Sequence, residues 1–425
     1  MKLIYVVIDG MGDLPIEDLG NKTPLEAAQT PNMDFLAKTG KTGLMYTVRE
    51  GIAPESDVAV ISILGYDPFK YKISRGLTEA LGAGLIVEDG NLALRCNFAT
   101  LGHGDGIVDR RVGRGLTTEE ADQLSRTINN EVKLESYPVN FEFKSTIGHR
   151  GALVIRSEKK QLSGNISNTD PAYARVEGLG VAKQDVEMTV KHCKPMDKTK
   201  EARISADLVN EFTEKSRAVL EKHEINKKRA AKGALTADIV LTRDAGHHLP
   251  KLFNINAHYG LKFVCLADMP VERGISQLAG MHLVDLPPPS ESLETDCRIR
   301  VKALLRALPS HDCFYIHIKG PDEPGHDGDF RLKTQLIATV DEHFFGEFLQ
   351  RAKLDNYVVC VTADHATPCK LKAHSDDPVQ LLISGNKIEG DDVQEFSESA
   401  CKEGSEGVLR QGFELMPKLV ACLKS

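Results

Sequence analysis

The feature that most restricts how this chain can fold is a set of short apolar runs, each ending in an acidic or glycine-bearing turn. Leu3–Ile8 leads into Asp9-Gly10, Cys313–Ile318 into Lys319-Gly320-Pro321-Asp322, Tyr357–Thr362 into Ala363-Asp364-His365, and Val379–Ser384 into Gly385. Runs of this length, rich in β-branched residues and without polar alternation, describe strands buried on both faces. Between two of them, Arg331–Ala352 repeats Leu332, Leu336, Val340 and Phe344 at helical spacing. Alternating strand and helix predicts an α/β fold, a doubly wound and mostly parallel sheet with helices on both faces. Ligands of such sheets sit beyond the carboxyl ends of the strands. Asp9, Asp322, Asp364 and His365 all fall just past a strand, which argues that they share one site.

The middle of the chain is different. From about Tyr66 to Asn256 it carries an Arg- and Gly-rich stretch, a polar loop over Ser163–Gly180 and a long polar helix candidate over Ala206–Lys228, without the strand-end acids. This reads as a smaller α+β domain, residues 67–256, inserted into a domain made of residues 1–66 and 257–425. With 425 residues, two or three domains are expected.

Charge and cysteine usage narrow the classes further. A net charge of −8 offers no basic face for a nucleic-acid backbone, although a local basic pocket for a small anion stays open. Nine scattered cysteines, with no CxxC pair, fit a reducing compartment rather than a disulfide framework. The first apolar run spans about six residues, too few for a membrane span. A cytoplasmic protein that acts on a small molecule, with neither nucleic acid nor membrane as partner, is expected.

The chemistry-bearing residues cluster toward both ends. Asp322 and His326 are four apart after a strand, Asp364-His365 follows another, and His374 comes nine residues later. Imidazole and carboxylate together suit divalent transition metals. With Asp9, this set is large enough for two ions, which would clamp the attacking and leaving oxygens of a phosphoryl group. Ser56 lies in Ala53-Pro54-Glu55-Ser56-Asp57, a turn into an apolar helix over Val58–Leu64. A serine there can cap the helix, and can equally serve as a nucleophile where N–H groups and the dipole favour a phosphate. The insert supplies basic clusters: Asp109-Arg110-Arg111-Val112-Gly113-Arg114, Gly148-His149-Arg150 and Thr242-Arg243-Asp244. Arginine forks bind phosphate and carboxylate bidentately.

The order of these motifs resembles one family. Asp9-Gly10-Met11-Gly12-Asp13, Lys22-Thr23-Pro24-Leu25-Glu26 and Thr30-Pro31-Asn32-Met33-Asp34 resemble the opening of the archaeal-type cofactor-independent phosphoglycerate mutases. So do Ser56-Asp57-Val58-Ala59, Leu64-Gly65-Tyr66-Asp67-Pro68, Arg75-Gly76, Asn97-Phe98-Ala99-Thr100 and the Asp109–Arg114 cluster. Asp322-Glu323-Pro324-Gly325-His326-Asp327, Asp364-His365-Ala366-Thr367-Pro368-Cys369 and His374-Ser375-Asp376-Asp377-Pro378-Val379 complete the series. The wider group is the alkaline phosphatase superfamily, so the resemblance implies an alkaline-phosphatase-like metal-bearing domain. It further implies one ion on Asp9, Ser56, Asp364 and His365 and a second on Asp322, His326 and His374. Mn²⁺ is the expected ion, with Mg²⁺, Co²⁺ or Zn²⁺ as substitutes. Ser56 would accept the phosphoryl group of 3-phosphoglycerate and return it at the 2-position. Arg110, Arg150 and Arg243 are the implied substrate contacts, with Arg75, Arg111, Arg114 and Lys319 as further ones, and domain closure would keep water out. Departures are few: Leu77 where Arg-Gly-Pro is common, Gln380 in place of a frequent proline, and an atypical Gly407–Val420. The competing reading is another phosphomonoesterase or phosphomutase of the same superfamily, with the same ligands and serine.

Overall fold

The computed structural model describes residues 1–158, 161–176, 179–182, 186–385 and 387–424. The chain divides into two compact units, Met1–Lys72 with Lys251–Ser425, and Ile73–Pro250.

The first unit is built on an eight-stranded sheet in the order His282–Leu283, Phe263–Leu266, Cys313–Ile318, Lys2–Ile8, Tyr357–Thr362, Val379–Gly385, Gly40–Met45, Gly407–Leu409. The first five strands run parallel to one another, Val379–Gly385 is antiparallel to both of its neighbours, and Gly407–Leu409 is parallel to Gly40–Met45. Every residue of Leu3–Ile8 is at most 1% exposed. Successive side chains point to opposite faces, so both faces of the central strand are covered. The Leu415–Lys424 helix packs on Lys2–Ile8 and Tyr357–Thr362, and Leu293–Ala307 on Phe263–Leu266 and Cys313–Ile318.

Two helices differ informatively from expectation. The Arg331–Ala352 periodicity resolves into Phe330–Val340, a π-helical turn over Asp341–Gly346, and Glu347–Leu349. Asp341 lies in the wide turn, and its carboxylate accepts from Asn32 N, Asn32 Nδ2 and Met33 N, capping the Pro31–Lys38 helix, whose own N-cap, Thr30, turns its hydroxyl to Asp34 instead. The apolar helix expected over Val58–Leu64 begins earlier, at Ser56, and runs to Ile63.

In the second unit, Leu92–Leu101 pairs antiparallel with Arg150–Ser157, with Ile239–Gly246 and, at its end, with Ile107–Asp109; Val139–Ser145 pairs with Arg150–Ser157. The long polar helix spans Lys200–Lys222, started by the Thr199 cap, and a second helix follows over Glu224–Ala231. The break falls at His223, whose ring caps the second helix by accepting from Ile225 N. Leu94, Phe98, Phe143, Leu208 and Phe212 centre the core. All nine cysteines are free thiols and eight are buried. Among the described residues, no helix is long and apolar enough to cross a membrane.

Candidate active site

Three strands of the first unit end side by side. Ile8 is registered with Ile318 and Val7 with Thr362, and Asp9 N donates to Ile318 O at 2.9 Å. Asp9, the Lys319–Asp322 turn and Asp364-His365 therefore emerge together. Gly10, at φ 60°, would bring a Cβ within 2.8 Å of Asp322, so the first two turns can meet only if that residue is glycine.

The imidazoles show what this cluster is suited to bind. His365 Nδ1 is 3.0 Å from Thr367 Oγ1, and that hydroxyl donates its single proton to Asp322 Oδ1 at 2.7 Å. The ring must then donate from Nδ1, which leaves a lone pair on Nε2. His326 Nδ1 faces Lys372 O at 3.1 Å and His374 Nδ1 faces Pro54 O at 2.7 Å. Carbonyls only accept, so these rings also donate from Nδ1. His365 Nε2 lies 3.1 Å from Ser56 Oγ, 3.4 Å from Asp9 Oδ1 and 3.3 Å from Asp364 Oδ2. The Nε2 atoms of His326 and His374 are 3.2 Å apart, and 3.5 and 3.6 Å from Asp322 Oδ1. Asp9 Oδ1 and Asp364 Oδ2 are buried with no hydrogen-bond partner among the described residues. Around the buried Asp9, Asp364 and His365, a lone pair facing carboxylate oxygens is unfavourable without a cation. Two triads bring ligand atoms within 4.8 Å of one another: Asp322 with His365 and His374, and Asp9 with His317 and Asp364.

The proton affinities follow the same logic. Burial and the neighbouring Asp9 push Asp364 well above the usual carboxylate range. Burial also opposes ionisation of Asp9, yet Lys319, together with His365 and His317, holds that group low. Asp322 lies well below its ordinary value, because the His374 hydrogen bond and His365 overcome burial. Burial works against a charged His374, but Asp322 and Glu55 raise it to about 9. Burial and then His374 drop His365 to about 3, which keeps its lone pair available.

Ser56 is the first residue of its helix, not the cap; Glu55 takes the N-cap position. Ser56 is only 7% exposed, and its hydroxyl points at His365. Lys319 belongs to the same cluster: its ammonium reaches Asp9 Oδ2 at 2.7 Å and Glu272 Oε1 at 2.9 Å. Glu272 and His317 escaped the sequence reading. Glu272 is wholly buried on the Pro270–Leu278 helix. His317 Nδ1 meets Tyr315 Oη at 2.7 Å, while its Nε2 lies 3.8 Å from Asp364. The available signal was a polar side chain inside an otherwise apolar strand, which needs a partner when buried.

The second unit gathers most of the expected arginines. Glu79, 4% exposed, receives Arg95 Nε at 3.2 Å and Arg75 Nε at 3.5 Å. Its carboxyl is held low despite burial by Arg95, Arg75, Arg150 and Arg243. His149 is pushed down to about 3 by burial first, and then by the neighbouring Arg150, Arg111, Arg95 and Arg114. Arg243 lies over the Tyr173 ring at 3.7 Å, and Arg110 over the same ring at 4.9 Å. Arg110 is further held by Asp170, with Nε 2.8 Å from Oδ1. Arg95, Glu79, Asp170 and Tyr173 were not singled out from sequence. Arg95 and Glu79 lie in the stretch that reads only as Arg- and Gly-rich, and the last two in one that reads as a polar loop.

Comparison with known proteins agrees with this arrangement. A family model described as 2,3-bisphosphoglycerate-independent phosphoglycerate mutase matches residues 37–226. The chain is 41% identical to the 2,3-bisphosphoglycerate-independent phosphoglycerate mutase of Aeropyrum pernix, covering 100% of both chains. It is 40% identical to that of Methanosphaera stadtmanae, over 95% of this chain and 94% of the relative. Among solved structures, a Pyrococcus horikoshii protein superimposes with a TM-score of 0.79 at 28% identity, covering 100% of this chain and 97% of that one. The cofactor-independent phosphoglycerate mutase of Thermoplasma acidophilum gives 0.62 at 29%, covering 99% of each chain. With full-length identity at this level, joined to the ordered motifs and the strand-end cluster, the chain belongs to the 2,3-bisphosphoglycerate-independent phosphoglycerate mutase family.

Proposed function

We propose that this isomerase interconverts 3-phosphoglycerate and 2-phosphoglycerate through a phosphoserine at Ser56, with two divalent cations, Mn²⁺ foremost. The observation that carries the metal reading is that His326, His365 and His374 all commit Nδ1 to an acceptor and turn Nε2 toward carboxylates. Asp9, Ser56, Asp364 and His365 would hold one ion, and Asp322, His326 and His374 the other. Bound there, such ions lower the pKa of a serine hydroxyl and neutralise phosphoryl oxygens.

The chain's own groups do the rest. Ser56 Oγ forms a bond to phosphorus as the 3-oxygen of the substrate leaves; the 2-hydroxyl oxygen of the retained glycerate then attacks phosphorus and Ser56 Oγ leaves. Placement at the start of a helix supplies N–H groups and a favourable dipole for the phosphoryl charge. Arg75, Arg110, Arg111, Arg114, Arg150 and Arg243, with Arg95, bind the carboxylate and phosphate of the substrate. Lys319 is committed to Asp9 and Glu272 and keeps that carboxylate ionised. The free thiols support a cytoplasmic setting.

The test supplies 3-phosphoglycerate and Mn²⁺ without 2,3-bisphosphoglycerate, and follows 2-phosphoglycerate and free phosphate together. The expected result is 2-phosphoglycerate with little phosphate; phosphate alone would move the protein to the phosphatases. Arg150→Ala is expected to raise KM for 3-phosphoglycerate roughly 10–100-fold, the scale of one charge-assisted bond. Unchanged KM and unchanged phosphate release would remove Arg150 from the substrate contacts.

A further inference from the structure

Beneath the strand-end turns lies a buried ion pair that the reaction itself does not use. Lys333, in the first turn of Phe330–Val340, and Asp13 both have side chains at 0% exposure. The ammonium has three N–H donors, and three acceptors meet it: Gly12 O at 3.0 Å, Asp13 Oδ2 at 2.8 Å and Thr367 O at 2.9 Å. Asp13 in turn accepts from Leu14 N at 2.8 Å and from Cys369 N at 3.1 Å. Thr367 N also donates to Gly12 O at 3.0 Å.

These bonds join three separate pieces of chain. Gly12 and Asp13 follow Asp9; Thr367 and Cys369 follow Asp364-His365; Lys333 stands on the helix that follows Asp322 and His326. Thr367 is the pivotal residue. Its side chain sets the tautomer of His365 and binds Asp322, while its carbonyl is held by Lys333. Buried ion pairs are rarely needed for net stability, since apolar residues of similar volume often serve as well. What apolar residues cannot do is fix three backbone and side-chain acceptors at once.

We propose that Lys333 and Asp13 are positioning residues that clamp the two turns and Thr367, so that the donor set stands assembled before any cation arrives. This rests on the two-metal reading above. The expectation concerns cation affinity, not fold. In the double variant Asp13→Leu/Lys333→Met, the metal-free protein should melt within a few degrees of wild type, while its Kd for Mn²⁺, measured by calorimetric titration, should rise at least tenfold. A folded double variant that binds Mn²⁺ as tightly as wild type overturns the clamp; wild-type protein that binds no Mn²⁺ overturns the metal reading instead. Should the double variant not fold, hydrogen exchange on metal-free wild-type protein decides. The amides of Thr367 and Cys369 are expected to exchange as slowly as those of the Lys2–Ile8 strand, with little added by Mn²⁺. Fast exchange there until Mn²⁺ is added would show that the ion, not the lysine, builds the site.

Discussion

Ser56→Ala is expected to lower kcat for 3-phosphoglycerate by roughly four orders of magnitude or more while Mn²⁺ content stays close to wild type. The size follows from losing a nucleophile outright: groups that act as a unit fail as a unit, and only binding and electrostatic effects remain. Metal retention follows from the donor count, since Asp9, Asp364 and His365 remain when one hydroxyl is removed. The fold should be untouched, because Ser56 is neither the N-cap of its helix nor part of the apolar core. Turnover and bound metal measured on the same preparation make the test sharp. Activity near wild type would take Ser56 out of the mechanism, and loss of both ions would make it a structural ligand first.

Removal of divalent cations is the second large effect. Dialysis against EDTA should abolish turnover, and Mn²⁺ should restore it. The same treatment should lower thermal stability, because an ion that binds only the folded state adds about 2.7 kcal/mol per site at a hundredfold excess over Kd. The physical source is the facing set of acceptors: without a cation, the Asp9 and Asp364 oxygens and the His365 lone pair confront one another in a buried space. Melting curves and a coupled assay before and after metal return check both parts. An enzyme indifferent to EDTA, and equally stable with and without Mn²⁺, would end the two-metal reading.

What could be read beforehand divides along a physical line. Asp9, Asp322 and Asp364 were visible because each follows an apolar strand directly, and a strand end is a local property of sequence. Glu272 was not, because a glutamate on a helix ordinarily reads as solvated, and only Lys319, 47 positions later in the chain, makes its burial tolerable. Lys333 was hidden for the same reason: its acceptors are carbonyls and a carboxylate far away in sequence. The Asp341 carboxylate in the π-helical turn meets Asn32 and Met33, far away in sequence, so the periodicity of its own segment does not reveal that contact. Arg95 fell in a stretch that reads only as Arg- and Gly-rich, and its pairing with Glu79 is what makes its burial in a strand tolerable. Local pattern located the chemistry; distant partners decided which polar residues could be buried around it.

The reversed direction of Val379–Gly385 has a consequence for how the site is assembled. Parallel neighbours must be joined by a long crossover, so Asp9 and Asp322 reach the cluster only after distant parts of the chain have met. Because Tyr357–Thr362 and Val379–Gly385 are antiparallel neighbours, the chain leaves the sheet and returns to it at the same end. Residues 363–378 are thus confined to that end by the pairing alone, and they carry Asp364, His365, Thr367 and His374. Closing this single excursion has a small entropic cost compared with the crossovers. Any folding event that zips these two strands delivers most of the imidazole donors as one cassette, to which the remaining carboxylates are added later.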